Sequence, residues 1–128
     1  MKKKILVVDD ESSIVSLLTE LLEWKGYDVD GARDGLECLS KVKRNTYHTI
    51  ILNVKMPKLC GWGVLERLNI MAPWIPVIMT SGHLSQEEGK KLVDMGAICF
   101  LEKPFDMIIL LDEIEKAIIE NERRFGLL

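Results

Sequence analysis

Five short apolar runs, rich in β-branched residues, lie along the chain at residues 5–8, 27–29, 49–52, 77–79 and 98–101. The first of them is continuous rather than alternating, and it ends abruptly at Asp9 and Asp10. Continuous apolar runs of this length are typical of strands that are buried on both faces of a sheet. The pattern therefore predicts five buried β-strands.

Segments with the helical spacing of apolar residues follow the predicted strands. The side chains expected to face the core are Ile14, Leu17, Leu18, Leu21 and Leu22 in the first segment, Leu36, Leu39 and Val42 in the second, Val64, Leu65 and Leu68 in the third, Leu92 and Met95 in the fourth, and Ile108, Leu111, Ile114 and Ile118 in the fifth. Spacings of three and four residues place each set on one face of a helix. Within the fourth segment, Gly89 is expected to lower helix stability.

Capping residues mark the ends of these predicted helices. Ser12 or Ser13 is expected to cap the first helix, and Gly26 to end it. Asp34 is placed to cap the second, and Ser85, with a glutamate three residues later, forms a capping box for the fourth. The fifth helix is expected to begin near residue 105 or 106.

The regular alternation of strands and helices predicts the fold class. Strand and helix alternate five times, which implies right-handed βαβ crossovers and a parallel sheet with helices on both faces. In such open α/β sheets, ligands bind beyond the carboxyl ends of the strands. Polar residues that directly follow the strands are therefore the candidates for a functional site.

Six polar residues fall at these strand ends and are expected to meet at one rim. Asp9 and Asp10 follow the first strand, Asn53 the third, Thr80 and Ser81 the fourth and Lys103 the fifth. Carboxylate and amide oxygens suit a divalent cation such as Mg²⁺, whereas a hydroxyl and an ammonium group suit a phosphate. The simpler alternative is that the two aspartates only end a strand and cap a helix.

Composition and charge exclude several other classes. A chain of 128 residues, 48% of them hydrophobic, is sufficient for one domain with a single core. Its net charge of −3 gives no basic surface for nucleic acid, and no apolar run is long enough to span a membrane. Three cysteines, an odd number, are expected to be buried or partly buried thiols in a reducing compartment, so the predicted location is cytoplasmic.

Four sequence motifs, in order, resemble the receiver domain of two-component response regulators. They are the acidic pair after Ile5-Leu6-Val7-Val8, the loop Asn53-Val54-Lys55-Met56-Pro57 with Gly61 after it, the strand Pro76-Val77-Ile78-Met79 leading to Ser81, and Phe100-Leu101-Glu102-Lys103-Pro104. The resemblance implies a CheY-like, three-layer flavodoxin-like (βα)5 doubly wound α/β fold, with a five-stranded parallel sheet of order 2-1-3-4-5. It implies a receiver domain over residues 1–122, and a tail or linker over residues 123–128.

The resemblance also assigns roles to residues at the rim. It implies that Ser81, rather than Thr80, is the switch hydroxyl, that Lys103 supports a phosphoryl group, and that Phe100 is the aromatic switch residue. The implied magnesium ligands are Asp9, Asp10, Asn53 and the backbone carbonyl of Lys55. In the family, a partner histidine kinase transfers a phosphoryl group to an aspartate, and that position is Asn53 in this chain.

The asparagine at this position changes the expected function. An amide is a far weaker nucleophile than a carboxylate, so conventional phosphorylation of Asn53 is expected to be absent. Losing one anionic ligand is expected to leave Mg²⁺ bound weakly or not at all. The chain is thus expected to be a pseudo-receiver or an Asp-to-Asn trapped variant, and not an enzyme. It would signal through contact of the fourth helix, fifth strand and fifth helix with a histidine kinase, another signalling protein or a second copy of itself.

Two alternatives share the same architecture. A flavodoxin-like cofactor-binding protein would need a phosphate-binding loop rich in glycine, serine and threonine after the first strand, where this chain has two aspartates and a glutamate. A small metal-dependent phosphatase would use Asp9 or Asp10 as its nucleophile, but the chain is short for a substrate cap. Neither His48 nor His83 belongs to a histidine and cysteine cluster, which argues against zinc.

Overall fold

A computed structural model describes residues 2–127 of the chain. Strands and helices alternate strictly in the order β1 (Lys4–Val8), α1 (Ser12–Trp24), β2 (Asp28–Ala32), α2 (Gly35–Arg44), β3 (Thr49–Asn53), α3 (Gly61–Met71), β4 (Val77–Ser81), α4 (Gln86–Asp94), β5 (Cys99–Glu102) and α5 (Met107–Arg124). The five predicted strands and five predicted helices are confirmed. Residue 122, the expected domain boundary, lies inside α5, and that boundary stays a prediction.

The five strands form one parallel sheet in the order β2-β1-β3-β4-β5, as the flavodoxin-like arrangement requires. Alternate residues of the central strands face opposite sides, so the core has two halves. One half lies between the sheet and α1 and α5, and contains Ile5, Val7 and Ile114. The other lies beneath α2, α3 and α4, and contains Leu52 and Leu65. The predicted three-layer architecture is therefore confirmed.

The helix faces agree only partly with the sequence prediction. Leu18, Leu22, Ile114 and the three predicted residues of α3 are buried. Leu17, Leu36 and Ile108 were expected to face the core, but they are 54%, 50% and 78% exposed. In α2 and α5 the buried face is rotated to include Cys38 and Leu110. Apolar residues occur around more than one face of these helices, so only contact with the sheet selects the buried one.

Two of the predicted caps are present. The Asp34 side chain accepts a hydrogen bond from the backbone N–H of Glu37, and Ser85 forms the full capping box with Glu88. Asp106 caps α5, close to its expected start. The prediction for α1 was wrong, because Ser12 and Ser13 lie within the helix and Glu11 occupies the N-cap position without a side-chain cap.

Strand β2 lies at the edge of the sheet and differs most from its prediction. It begins at Asp28 and ends at Ala32, three residues beyond the apolar run that predicted it. An edge strand pairs on one side only, so it tolerates polar residues that would not be tolerated at the centre. Its Asp30 accepts a hydrogen bond from the fully buried Tyr47 at 2.7 Å. Partial burial favours protonation of Asp30, but this bond and the ammonium of Lys4 outweigh it and lower the Asp30 pKa.

The cysteines also differ from expectation at one position. Cys38 is buried and Cys99 is partly buried, and burial raises the pKa of both thiols to about 12. Cys60, at the start of α3, is exposed, so the prediction of a buried or partly buried thiol was wrong there. Within residues 2–127, no helix has both the length and the apolar character that crossing a membrane requires.

Candidate functional site

A polar depression of about 340 Å³ lies at the carboxyl ends of the central strands, where the sequence predicted a site. We call it the rim site. It is lined by Asp10, Glu11, Asn53, Lys55, Ser81, Gly82, His83 and Lys103. Parallel strands in register place these residues together: Leu52 pairs with Met79, and Asn53 with Thr80. Residues contributed by four different strands therefore meet in one place.

An ion pair joins Lys103, which lines the rim site, to Asp9. The ammonium nitrogen of Lys103 lies 2.6 Å from Oδ2 of Asp9, whose side chain is 3% exposed. The other oxygen of Asp9, Oδ1, accepts a hydrogen bond from the backbone N–H of Glu11 at 3.0 Å. Glu11 carries a second carboxylate 3.9 Å from the same ammonium nitrogen. Both oxygens of Asp9 are thus engaged, and Asp9 does not line the depression.

Asn53 is buried at the end of β3, with a relative exposure of 5%. Its side-chain nitrogen Nδ2 donates to Oδ1 of Asp10 at 3.2 Å and to the backbone carbonyl of Lys55 at 2.8 Å. The same two oxygens were expected to bind a cation. The structure thus brings Asp10, Asn53 and Lys55 together as the sequence indicated, but the amide nitrogen faces the two expected ligands.

The loop from β3 to α3, which contains Lys55, is closed by backbone contacts. The Gly61 N–H donates to the Val54 carbonyl at 2.7 Å, and a Cβ at Gly61 would come within 2.5 Å of the Asn53 carbonyl oxygen. Only glycine fits so close to the backbone. Lys58 has a left-handed backbone with φ of 69°, and its ammonium lies 3.4 Å from Asp34. The Glu37 N–H and this ammonium hold the pKa of Asp34 below its usual range.

Ser81 lines the rim site, whereas its neighbour Thr80 does not. The Ser81 hydroxyl donates to the His83 carbonyl at 3.1 Å and accepts from the His83 N–H at 3.2 Å. These two bonds form a local turn, in which the Ser81 hydroxyl is bonded to the backbone just after β4. His83 also lines the rim site, although no role there was predicted for it from the sequence. Its place beside Gly82, two residues after the strand, was the available signal.

Phe100 is half-buried on β5 and does not line the rim site. Its ring packs against the half of the core beneath α4 and lies directly over the buried Gly89 of that helix. A Cβ added at Gly89 would overlap three ring atoms of Phe100. The glycine expected only to weaken the helix therefore provides the space that the Phe100 ring occupies.

We expect Gly89→Ala to displace the Phe100 ring and to lower the free energy of unfolding by about 1–2 kcal/mol. The cost of overpacking is larger than the roughly 1 kcal/mol by which alanine stabilises a helix relative to glycine. In the background of Phe100→Ala, the same change should stabilise the protein, because the ring is gone. Urea unfolding of the four proteins measures this coupling.

Gly82→Ala is the control for this cycle, because a Cβ at Gly82 meets nothing within 4 Å. Its effect on the free energy of unfolding should stay within about 0.5 kcal/mol. An equal stabilisation by Gly89→Ala in both backgrounds would show that the position of the Phe100 ring does not require glycine at residue 89.

The oxygen atoms at the rim site are not arranged to coordinate a divalent cation. Such a cation needs several oxygens directed at one point. Here the amide nitrogen of Asn53 points at the oxygens of Asp10 and Lys55, and the oxygens of Asp9 are engaged by Lys103 and Glu11. Within residues 2–127, no buried side-chain polar atom lacks a hydrogen-bond partner, and no cluster of three or more acidic, histidine or cysteine residues could hold a metal.

Comparison with known sequences places most of the chain in one family. Residues 5–115 match the response regulator receiver domain. The transcriptional regulatory protein PhoP of Bacillus subtilis is 43% identical over 105 residues, which are 82% of this chain and 44% of PhoP. ZraR of Escherichia coli is 32% identical over 114 residues, 89% of this chain and 26% of ZraR. The chain thus spans less than half the length of these two regulators.

Solved structures agree with the sequence comparison. A CheY-like response regulator receiver domain protein from Methanospirillum hungatei superposes with a TM-score of 0.90 at 29% identity, covering 96% of this chain and 98% of that one. A receiver domain protein from Clostridium thermocellum gives 0.88 at 33% identity, covering 98% and 99%. The family match, the strand order and the acidic rim all lead to one conclusion: the chain belongs to the receiver domains of two-component response regulators.

Proposed function

We propose that this chain is a receiver domain in which Asn53 stands at the phosphoacceptor position and which signals without being phosphorylated there. The observation that carries the proposal is the position of Asn53: it is buried at the end of β3 and bonded to Asp10 and to the Lys55 carbonyl. A carboxylate in this place would attack phosphorus through an oxygen lone pair. The amide oxygen of Asn53 is a much weaker nucleophile, and its nitrogen already donates two hydrogen bonds.

The remaining residues keep the roles that the resemblance implied. Lys103 would support a phosphoryl group through its ammonium, and Ser81 through its hydroxyl once that hydroxyl leaves His83. Phe100 would report the state of the rim at the surface near α4. In this chain the rim site stays in one arrangement, because the phosphorylation that would change it does not take place at Asn53.

Receiver domains of response regulators interact with histidine kinases and with effector domains. For this chain, the proposed contact surface is formed by α4, β5 and α5. Four of its aliphatic side chains are exposed: Val93, Ile108, Ile109 and Ile119. A partner that covers apolar groups of this kind would gain free energy in proportion to the buried area. We propose a histidine kinase, another signalling protein or a second copy of the chain as the partner.

Receiver domains typically bind Mg²⁺ at the phosphorylation site. In this chain the candidate ligands are the side chains of Asp9, Asp10 and Asn53 and the Lys55 carbonyl. Asn53 would need to turn its amide oxygen toward the cation before it could contribute, so binding would be weak. The comparisons favour the receiver family over the flavodoxin-like and phosphatase alternatives, and receiver domains are typically non-enzymatic signalling modules.

The proposal is tested by exposing the unchanged chain to a small acyl phosphate donor with Mg²⁺ and measuring its intact mass. We expect no added phosphoryl group on the loop from β3 to α3. A stable phosphoryl adduct that maps to this loop would overturn the proposal. The donor's activity is verified in the same experiment with a receiver domain that carries aspartate.

A further inference from the structure

The two acceptors of the Asn53 amide are oxygens of the rim site. One belongs to the carboxylate of Asp10 and the other to the backbone carbonyl of Lys55, 3.2 and 2.8 Å from Nδ2. An NH₂ group has two hydrogens, and here each of them has one acceptor. The amide therefore donates hydrogen bonds to the same oxygens that a cation would bind.

A cation and this NH₂ group cannot use these oxygens together. Binding of a divalent cation would require the carboxamide to rotate by about half a turn about its Cβ–Cγ direction. That rotation breaks both hydrogen bonds and brings the amide oxygen to the place of the nitrogen. The nitrogen would then need new hydrogen-bond acceptors, although Asn53 is only 5% exposed to solvent.

The neutral residue at position 53 weakens the attraction of the rim site for a cation. The carboxylate of Asp9 is paired with Lys103 at 2.6 Å. The Asp10 carboxylate receives the partial positive charge of the amide hydrogens. A carboxylate at position 53 would add one more negative charge, which favours a divalent cation, but position 53 is neutral. The hydrogen bonds therefore oppose cation binding, and the missing charge lowers the attraction that would overcome them.

We propose that the side-chain NH₂ of Asn53 takes the place of the divalent cation at the rim site, and holds Asp10 and the Lys55 carbonyl in a fixed arrangement that does not depend on Mg²⁺. Asn53 is then a competitor of the cation and not merely a poor ligand. This inference rests on the proposed function in taking position 53 as the phosphoacceptor position. Its test uses no phosphate donor, so it can fail separately.

The experiment titrates Mg²⁺ into ¹⁵N-labelled protein and follows its NMR spectrum, for the unchanged chain, Asn53→Asp and Asn53→Ala. We expect the unchanged chain to bind Mg²⁺ at least tenfold more weakly than Asn53→Asp. The decisive comparison is with Asn53→Ala, which lacks the competing NH₂ and also lacks the side-chain oxygen. Competition predicts that Asn53→Ala binds Mg²⁺ at least as tightly as the unchanged chain, whereas simple loss of a ligand predicts weaker binding.

A matched control and a second readout keep the test decisive. Asn69→Asp makes the same chemical change at an exposed asparagine whose amide donates to the Met95 carbonyl, and it should leave Mg²⁺ binding unchanged. If Asn53→Ala does not fold, the Asn53 NH₂ signals of the unchanged chain decide. We expect them to stay in place and to exchange slowly with solvent at millimolar Mg²⁺. A shift of these signals at the affinity of Asn53→Asp would overturn the proposal.

Discussion

Asn53→Asp is expected to convert a chain that accepts no phosphoryl group into one that does. The new carboxylate would lie at the end of β3 beside Asp10, with the ammonium of Lys103 and the hydroxyl of Ser81 at the same rim. One of its oxygens attacks the phosphorus of an acyl phosphate donor, and the bond between phosphorus and the leaving carboxylate breaks. The products are an aspartyl phosphate and the free carboxylate of the donor. Intact-mass spectrometry with the donor and Mg²⁺ measures the reaction.

The same substitution should make the fold depend on Mg²⁺. It replaces a donor that contacts Asp10 with a second negative charge, and like charges about 4 Å apart repel by roughly 4 kcal/mol at an effective dielectric near 20. Without Mg²⁺ we expect the variant to melt at a lower temperature than the unchanged chain, and Mg²⁺ should restore much of the loss. The unchanged chain should show little difference between Mg²⁺ and a chelator.

Asn69→Asp is the matched control for both measurements, since it adds the same charge away from the rim. It should gain neither the phosphoryl group nor the dependence on Mg²⁺. If Asn53→Asp also stays unmodified while folded and bound to Mg²⁺, the rim lacks a competent catalytic arrangement and Asn53 is not what prevents phosphorylation.

Lys103→Met is expected to lower the free energy of unfolding by roughly 3 kcal/mol. The ammonium of Lys103 pairs at 2.6 Å with the carboxylate of Asp9, and the two side chains are 13% and 3% exposed. Removing one partner of a buried pair leaves the other charge without compensation in a poorly solvated place. Asp9 would keep a single hydrogen bond, from the Glu11 N–H. Urea unfolding at neutral pH gives the difference.

The exposed pair of Lys116 with Asp112 provides the control, because its side chains are 59% and 60% exposed. Lys116→Met should give no measurable change, since solvent screens a surface pair. The double variant Asp9→Asn with Lys103→Met should recover part of the loss, because it no longer buries a free charge. Equal stability of Lys103→Met and the unchanged chain would show that this ion pair contributes nothing net to the fold.

Local sequence features account for the parts of the structure that were predicted well. The apolar runs of β1, β3 and β4 are buried on both faces and need no knowledge of their neighbours to be identified. The caps at Asp34 and Ser85 depend on contacts three residues away, within the reach of sequence. The bounds of the edge strand β2 were predicted less accurately, because an edge position in the sheet allows polar residues that the apolar pattern does not identify as a strand. Leu17 and Ile108 were wrongly expected to be buried, because only packing against the sheet selects which apolar face of a helix is buried.

The amino-acid sequence by itself determined the alternation of five strands and five helices, the residues at the strand ends and the neutral residue at position 53. These features follow from local periodicity and from chain order. Tertiary structure alone decided that the Asn53 amide nitrogen faces Asp10 and that Phe100 lies over Gly89. These partners belong to other segments of the chain, and folding alone brings them within hydrogen-bond or van der Waals distance.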